Sequence, residues 1–571
     1  MNTQLRRTFY LFVAGFVALV GVLAYWQVYA RESLANDPSN SLQSRRVQEV
    51  PRGLVLAGDG ETELARSEQG EDGNYDRLYP EGPLYAGVTG YWSSRYGASG
   101  IEIGQNNNLS GNGEPETLDE LLNQVSGGPM AGNDIELTLD PELQRLAYDS
   151  IANSSTGRGS AVALNPKNGE ILSLVSYPSY DPNNIDENFE ELAQDPDNPL
   201  LNRATQGLYP PGSTFKVITA AAALEAGVKP SDRYTDNGTY ETPGYTVYNY
   251  RAREYGRQTF EEAFGNSVNT IFARIGNEDV GAEALARTAT DFGFYDPYED
   301  FPLPIAPSFF NPPPEQWDQG NIAQSSFGQQ TVSSTVFEMA LVAGAVANGG
   351  TLMEPRLVRE VRSPDGAILD KPTPRSRSEV MDEDTASTLN DLMQEAVTQV
   401  EKGADIPGVK VAGKTGTAEA GGDQLHSWFI SFAPADDPEI AVAVLVENGQ
   451  EGYKQALPIA RRMIEGYLRS QGELPNEPPS PPPAPQQDEQ TTPNSQPAQP
   501  KTNDSFQFPF QGQGKSPQTP GQAQNPNQGQ NPGQVPGQVP GQAPPPVPGQ
   551  GLPQVPGQVP NQVPGQRPPG G

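Results

Sequence analysis

At residue 473 the chain changes character, and that break bounds what can fold. About half of the 58 prolines lie beyond it, in repeated Val-Pro-Gly-Gln units among many Gln and Asn. Such a stretch cannot bury enough apolar surface to offset the entropy lost on ordering. Residues 473–571 therefore read as a disordered tail, partly polyproline II. Phe506, Phe508 and Phe510 form its only aromatic cluster and read as part of a solvated spacer. A packed core has to come from the first 472 residues.

The opposite end carries an uncharged apolar run over residues 9–29, roughly the length a helix needs to cross a bilayer. Arg6 and Arg7 precede it, so the positive-inside rule places residues 1–8 in the cytoplasm. Tyr25, Trp26 and Tyr29 stand at the far end, where an aromatic belt meets lipid headgroups. The expectation is a single membrane helix over residues 9–30, with everything after it outside the membrane. A cleaved signal peptide is the rival reading, with Val28-Tyr29-Ala30 as the cleavage site, but the run is long and bulky near its end.

Residues 31–132 are polar and Gly-rich, with short strand-like pieces such as Gly53-Leu54-Val55-Leu56. Residues 133–472 carry globular patterns. Asp140-Pro141 supplies an N-cap and first helical residue for a helix through Leu143, Leu146 and Ile151. Residues 159–164 and 170–176 read as a hairpin around Asn-Pro-Lys-Asn-Gly. Residues 409–412, 427–432 and 440–446 read as three more strands. Residues 453–468 read as a helix with Ala456, Ile459, Met463 and Ile464 on one face. Helix, hairpin, helical middle, three strands and a final helix predict an α+β fold, an antiparallel sheet flanked by helices.

Composition removes several chemistries. The chain has no Cys, which excludes disulfides, Cys-ligated metals and a thiol nucleophile. One His leaves no imidazole-rich metal site, so no metal or other cofactor is expected. A formal charge of -34 argues against a nucleic-acid partner, because phosphate binding needs Lys and Arg.

Three short motifs carry the chemistry that remains. In Ser213-Thr214-Phe215-Lys216, Pro210-Pro211-Gly212 stops the preceding structure and a helix starts at Ser213, ending near Gly227. Lys216 then lies one turn beyond Ser213 on the same face. The helix N-terminus and a desolvated setting both disfavour an ammonium there. A neutral Lys216 can take the proton of Ser213 and leave a nucleophile. In Ser267-Val268-Asn269, the two polar residues protrude from a tight connection between two helices. The first of these opens with the capping-box pattern Thr259-Phe260-Glu261-Glu262. A hydroxyl at Ser267 can relay a proton, and the Asn269 amide can hold a peptide group. In Lys414-Thr415-Gly416-Thr417, strand alternation puts Lys414 and Gly416 on one face and Thr415 and Thr417 on the other. A twist or bulge at Gly413 would bring more of them to one cleft. Lys414 offers positive charge, Gly416 lets a substrate backbone approach, and the Thr hydroxyls can bind a carboxylate. Each motif alone also fits ordinary cap, turn or edge-strand chemistry.

SxxK, SxN and KTG in this order resemble the motif set of penicillin-recognising serine acyl-enzymes. The segment from Asn202-Arg203-Ala204 through Tyr209-Pro210-Pro211-Gly212 to Lys216 resembles the nucleophile region of class B penicillin-binding proteins. So do Phe327-Gly328-Gln329 and Lys414-Thr415-Gly416-Thr417-Ala418-Glu419. Pro51-Arg52-Gly53-Leu54 and Tyr96-Gly97-Ala98-Ser99-Gly100-Ile101-Glu102 resemble the family's N-terminal pedestal, here in the compact form of actinobacterial members. Gln330 stands where the family often has Gly, and Ala57-Gly58 replace a more polar pair.

The resemblance covers residues 45–470 or so. It implies a dimerisation-like pedestal over 31–132 and a penicillin-binding transpeptidase fold over 133–472, with a five-stranded sheet and a helical subdomain. It implies a monofunctional D,D-transpeptidase that cross-links peptidoglycan stem peptides from a lipid-linked precursor and is inhibited covalently by β-lactams. Ser213 would be the nucleophile and Lys216 the base, with Ser267 and Lys414 passing the proton onward. Asn269 would hold the acyl side, and Thr415, Gly416 and Thr417 the substrate's terminal carboxylate end. Backbone N–H groups of Ser213 and Thr417 would form the oxyanion hole. A SEDS-family glycosyltransferase is the membrane partner the family implies. A D,D-carboxypeptidase differs only in admitting water, and a non-catalytic β-lactam sensor or wall scaffold would keep the motifs for binding alone. His426, beside the strand opposite the third motif, reads as a cleft-rim residue without catalytic duty.

Overall fold

The computed structural model describes residues 50–110, 131–329, 332–420 and 424–474, with a few positions between 15 and 25. Most of the expected membrane run and nearly all of the tail lie outside the described residues. Among those residues, no helix is long and apolar enough to cross a membrane.

The hairpin strands β1 (Gly159–Leu164) and β2 (Ile171–Tyr177) are apolar on both faces, and both faces are covered. Ala161 and Ala163 point one way, Val162 and Leu164 the other, each into a different packed cluster. That two-sided burial requires a helix layer on each face of the sheet. Strands β3 (Ala412–Glu419), β4 (Leu425–Ala433) and β5 (Ile440–Val446) complete a five-stranded sheet in the order β3-β4-β5-β1-β2. Every pairing is antiparallel.

Helix α1 (Pro141–Ala152) starts as its sequence predicts: the Asp140 side chain accepts from the Leu143 N–H, and Pro141 follows. The helical middle supplies α2 (Lys216–Glu225), α3 (Phe260–Gly265), α4 (Asn269–Ile275), α5 (Val336–Ala347) and α6 (Glu383–Gln399). Helix α7 (Ala456–Ser470) begins three residues later than its sequence pattern suggests. Its expected face of Ala456, Ile459, Met463 and Ile464 is buried, together with Leu143, Ala147 and Ile151 of α1 and Phe429, Val442 and Val444 of the sheet. Helix α5, almost wholly buried, covers the opposite face against Val162, Leu164, Ala441 and Ala443.

The N-terminal residues build more than isolated strand pieces. Val55, Leu64, Tyr79, Ile101 and Leu109 are buried and continuous with the main core. The strands Val55–Leu56, Glu63–Gln69 and Tyr75–Leu78 join a six-stranded sheet with Asp134–Leu137, Val358–Arg362 and Ile368–Asp370. Polar composition hid this because the sheet borrows apolar partners distant in sequence. A buried ion cluster ties the segment together: Arg52 and Arg77 both pair with the fully buried Glu102, at 2.8 and 2.6 Å.

Candidate active site

The nucleophile turn is fixed by close backbone approach. Gly212 has φ +56°, and a Cβ there would meet the Thr417 carbonyl oxygen at 2.7 Å. Its N–H donates to the Gly328 carbonyl at 2.8 Å, and the Trp428 indole N–H donates to the Pro210 carbonyl at 3.0 Å. Trp428 is fully buried, so its core position also anchors this turn. The sequence pattern predicts one α-helix from Ser213; instead Gly212–Phe215 forms a 3₁₀ turn and α2 starts at Lys216. A 3₁₀ turn eclipses residues three apart, which strengthens the predicted juxtaposition. Lys216 Nζ lies 3.1 Å from Ser213 Oγ.

The second motif meets the first at the same amine. The predicted capping box forms, with Thr259 and Glu262 bonded reciprocally. Between α3 and α4 the chain turns through Ser267 at φ +57°, a left-handed conformation uncommon for a residue with a side chain. The turn aims both Ser267 and Asn269 at Lys216. Lys216 Nζ contacts the Ser267 carbonyl at 2.7 Å, the Ser267 hydroxyl at 3.1 Å and the Asn269 Oδ1 at 2.7 Å.

This shell determines what the amine can do. A neutral amine has two protons and one lone pair. The Ser267 carbonyl and Asn269 Oδ1 only accept, so they take the two protons at the shorter distances. The lone pair is left for a hydroxyl, and Ser213 and Ser267 are both in reach. Burial, and secondarily the nearby Lys414 ammonium, hold Lys216 well below the usual lysine range. No carboxylate is among its hydrogen-bond partners.

The third motif lies on β3 itself, not after a strand at 409–412. Its register with β4 runs unbroken from Ala412 to Glu419, without a bulge at Gly413. Lys414 and Gly416 are buried, Thr415 and Thr417 half-buried. Strand β3 is the sheet edge, which lets side chains from outside reach its free backbone groups. Glu401 does so. Its carboxylate accepts from Lys414 Nζ at 3.0 Å, from Thr415 Oγ1 at 2.6 Å and from the Thr415 N–H at 3.0 Å.

Two expectations change here. The Thr415 hydroxyl, expected to bind a substrate carboxylate, is committed to Glu401. Gly416, expected to admit a substrate backbone, instead seats the nucleophile turn: a Cβ would meet the Pro211 carbonyl oxygen and Thr214 Cγ2, both at 2.8 Å. Thr417 is placed differently from Thr415 and makes no contact with Glu401. Its hydroxyl accepts from the Gly452 N–H at 3.3 Å, so its own proton is free to donate.

Behind the nucleophile turn, the buried Glu447 accepts from Arg203 at 2.8 Å and Tyr209 at 2.7 Å. His426 is buried beside them, edge-on to Tyr209 at 5.3 Å, and its Nδ1 accepts from the Asn448 N–H. Burial lowers its pKa despite Glu447. It bonds none of the motif side chains. Glu401 and Glu447 escaped the sequence reading because no local spacing marks them. Among the described residues no group of acidic and His side chains could hold a metal ion.

Comparison with known proteins gives the family. The family described as the penicillin binding protein transpeptidase domain matches residues 159–465, and the penicillin binding protein A dimerisation domain matches 52–135. The peptidoglycan D,D-transpeptidase PbpA of Mycolicibacterium smegmatis is 38% identical over 497 residues, 82% of this chain and 99% of that protein. The peptidoglycan D,D-transpeptidase MrdA of Acinetobacter baumannii is 29% identical, over 70% of this chain and 67% of that protein. Penicillin-binding protein A from M. tuberculosis, solved as a ceftriaxone acyl-enzyme complex, aligns with TM-score 0.70 at 35% identity, covering 74% of this chain and 100% of that one. With the motif geometry and these matches together, the chain belongs to the penicillin-binding protein transpeptidase family.

Proposed function

We propose that this chain is a peptidoglycan D,D-transpeptidase that works through an acyl ester on Ser213. The hydrogen-bond shell of Lys216 carries the reading, because it leaves a lone pair, not a proton, facing Ser213. Ser213 Oγ attacks the carbonyl carbon of the penultimate D-Ala, and its proton passes to Lys216 Nζ. The oxyanion is held by the N–H of Ser213, at the start of a helical turn, and the N–H of Thr417, on the free edge of β3. The bond to the terminal D-Ala nitrogen breaks, and that nitrogen takes the proton through the Ser267 hydroxyl. An amine from a neighbouring stem then attacks the ester carbon. An amide forms, and Ser213 recovers its proton.

Thr417 is the hydroxyl left to hold the terminal carboxylate. Asn269 spends Oδ1 on Lys216 and one Nδ2 proton on the Tyr248 carbonyl at 3.2 Å; its other proton remains for the substrate's acyl amide. A β-lactam would acylate Ser213 as a substrate mimic. In this reading residues 9–30 anchor the chain, the N-terminal segment forms the pedestal, and a SEDS-family glycosyltransferase is the membrane partner. The apolar run and the preceding Arg6 and Arg7 support that placement.

The test is labelling by a fluorescent penicillin, which Ser213→Ala should abolish while the circular dichroism spectrum is kept. Labelling of that variant would sink the proposal. A lipid-linked or thioester donor with an amine acceptor should then give cross-linked product. Hydrolysis alone, at every acceptor concentration, would make the chain a carboxypeptidase.

A further inference from the structure

Two buried lysines share this cleft, and their surroundings differ in one respect. Lys216 is bonded to neutral oxygens only. Lys414, also wholly buried, is paired with Glu401 at 3.0 Å, and the Glu401 side chain is itself only 3% exposed. Glu401 stands just beyond α6, thirteen residues before Lys414. It grips both the side chain of Lys414 and the backbone of the next residue: both carboxylate oxygens accept from the Thr415 N–H, at 3.0 Å. Four donor contacts converge on this buried carboxylate. No hydrogen bond joins Lys414 to Ser267; the other partner of its ammonium is the Thr415 carbonyl, at 3.3 Å.

We propose that Glu401 is a positioning residue that decides which lysine of the cleft carries the proton. It holds Lys414 as the charged lysine and leaves Lys216 as the one able to accept the proton of Ser213. This rests on the acyl-enzyme reading above. The physical route is short. The carboxylate at 3.0 Å is the buried counter-ion of the Lys414 ammonium. That ammonium then disfavours a second positive charge at Lys216, adding to the burial that already does so. The groups facing Lys414 are Glu401 beyond α6, Lys216 on α2 and the ring of Phe264 on α3, 6.0 Å from its Nζ. The neighbouring strand β4 sets Ile430 opposite Lys414; its nearest titratable group, His426, pairs four positions along, with Ala418.

The experiment is the pH dependence of acylation by a fluorescent penicillin, as second-order rate constant against pH, for the wild type and Glu401→Gln. The acid limb of that profile reports the base that must be unprotonated. Without the carboxylate, Lys414 gives up its charge, Lys216 is relieved of a positive neighbour, and the limb moves to higher pH by about one unit. The rate falls by up to about tenfold on the slope of the limb and recovers above it. A lower plateau with an unmoved limb, or a limb moved to lower pH, overturns the proposal. Should Glu401→Gln fail to fold, the double variant Glu401→Gln, Lys414→Met removes both charges together and should show the same alkaline limb; an unmoved limb there overturns it equally. Absence of wild-type labelling would instead reject the acyl-enzyme reading itself.

Discussion

Ser267 combines a strained backbone with a hydroxyl at the reacting centre, and two substitutions separate these roles. Its φ of +57° places it in the left-handed region, which costs a residue with a Cβ roughly 1–2 kcal/mol relative to glycine. Glycine returns part of that, about 0.5–1 kcal/mol, through the larger entropy it loses on folding. Ser267→Gly should therefore be more stable than Ser267→Ala by about 0.5–1 kcal/mol, read from urea midpoints at equal m-values. The chemical defect should be the same in both. Each variant keeps the backbone carbonyl that bonds Lys216 at 2.7 Å and loses the hydroxyl at 3.1 Å. If that hydroxyl relays the proton, acylation by penicillin should fall by about 10²–10⁴ in either variant. The assay is stopped-flow acylation beside denaturant unfolding. Acylation at the wild-type rate in both variants would remove Ser267 from the relay. An alanine variant as stable as the glycine variant would refute the strain argument.

Three further outcomes are expected. Burial pushes the Glu338 carboxyl up to about 8, against a weaker opposing hydrogen bond from Tyr298. Its contribution to stability is complete below the unfolded carboxyl's pKa near 4.5 and is lost as pH climbs to about 8. Glu338→Gln should gain on the wild type by about 1.4 kcal/mol per pH unit across that window and level off above it; a pH-independent difference in melting would contradict this. Glu447→Gln strands the Arg203 guanidinium, 1% exposed, without its counter-ion, and should cost about 3–5 kcal/mol by chemical unfolding. A loss below about 1 kcal/mol would show the pair to be well solvated. Removing residues 473–571 should leave the acylation rate unchanged, and a large fall would give the tail a role in the active fold.

Much of the fold was legible because its elements announce themselves locally. The hairpin over 159–177 is marked by two apolar runs around a turn-rich pentapeptide, and α1 by the Asp140 cap. The amphipathic stripe of α7 fixed which face is buried, though not its first turn. The N-terminal segment was less legible. Val55 finds its partners at Ala65 and Ile135, and the same sheet continues to Val361. Apolar residues contributed from such distances leave no period within any single window of sequence.

At the site the same contrast has a chemical consequence. Ser213 and Lys216 are three residues apart, so the geometry of one helical turn sets their distance whatever surrounds them. The residues that tune them are separated along the chain: Glu401 lies 13 positions from Lys414, and Glu447 lies 238 from Tyr209. Only tertiary packing brings these together, and packing also supplies the burial that makes them effective. An exposed pair at the Glu401–Lys414 distance would be worth less than about 1 kcal/mol; this one is buried, at 0% and 3% exposure, and breaking it leaves an uncompensated charge in the fold. The formal charge of -34 includes both carboxylates and identifies neither. A motif can name the atoms that react, whereas the protonation state on which the reaction depends is set by neighbours that only the fold reveals.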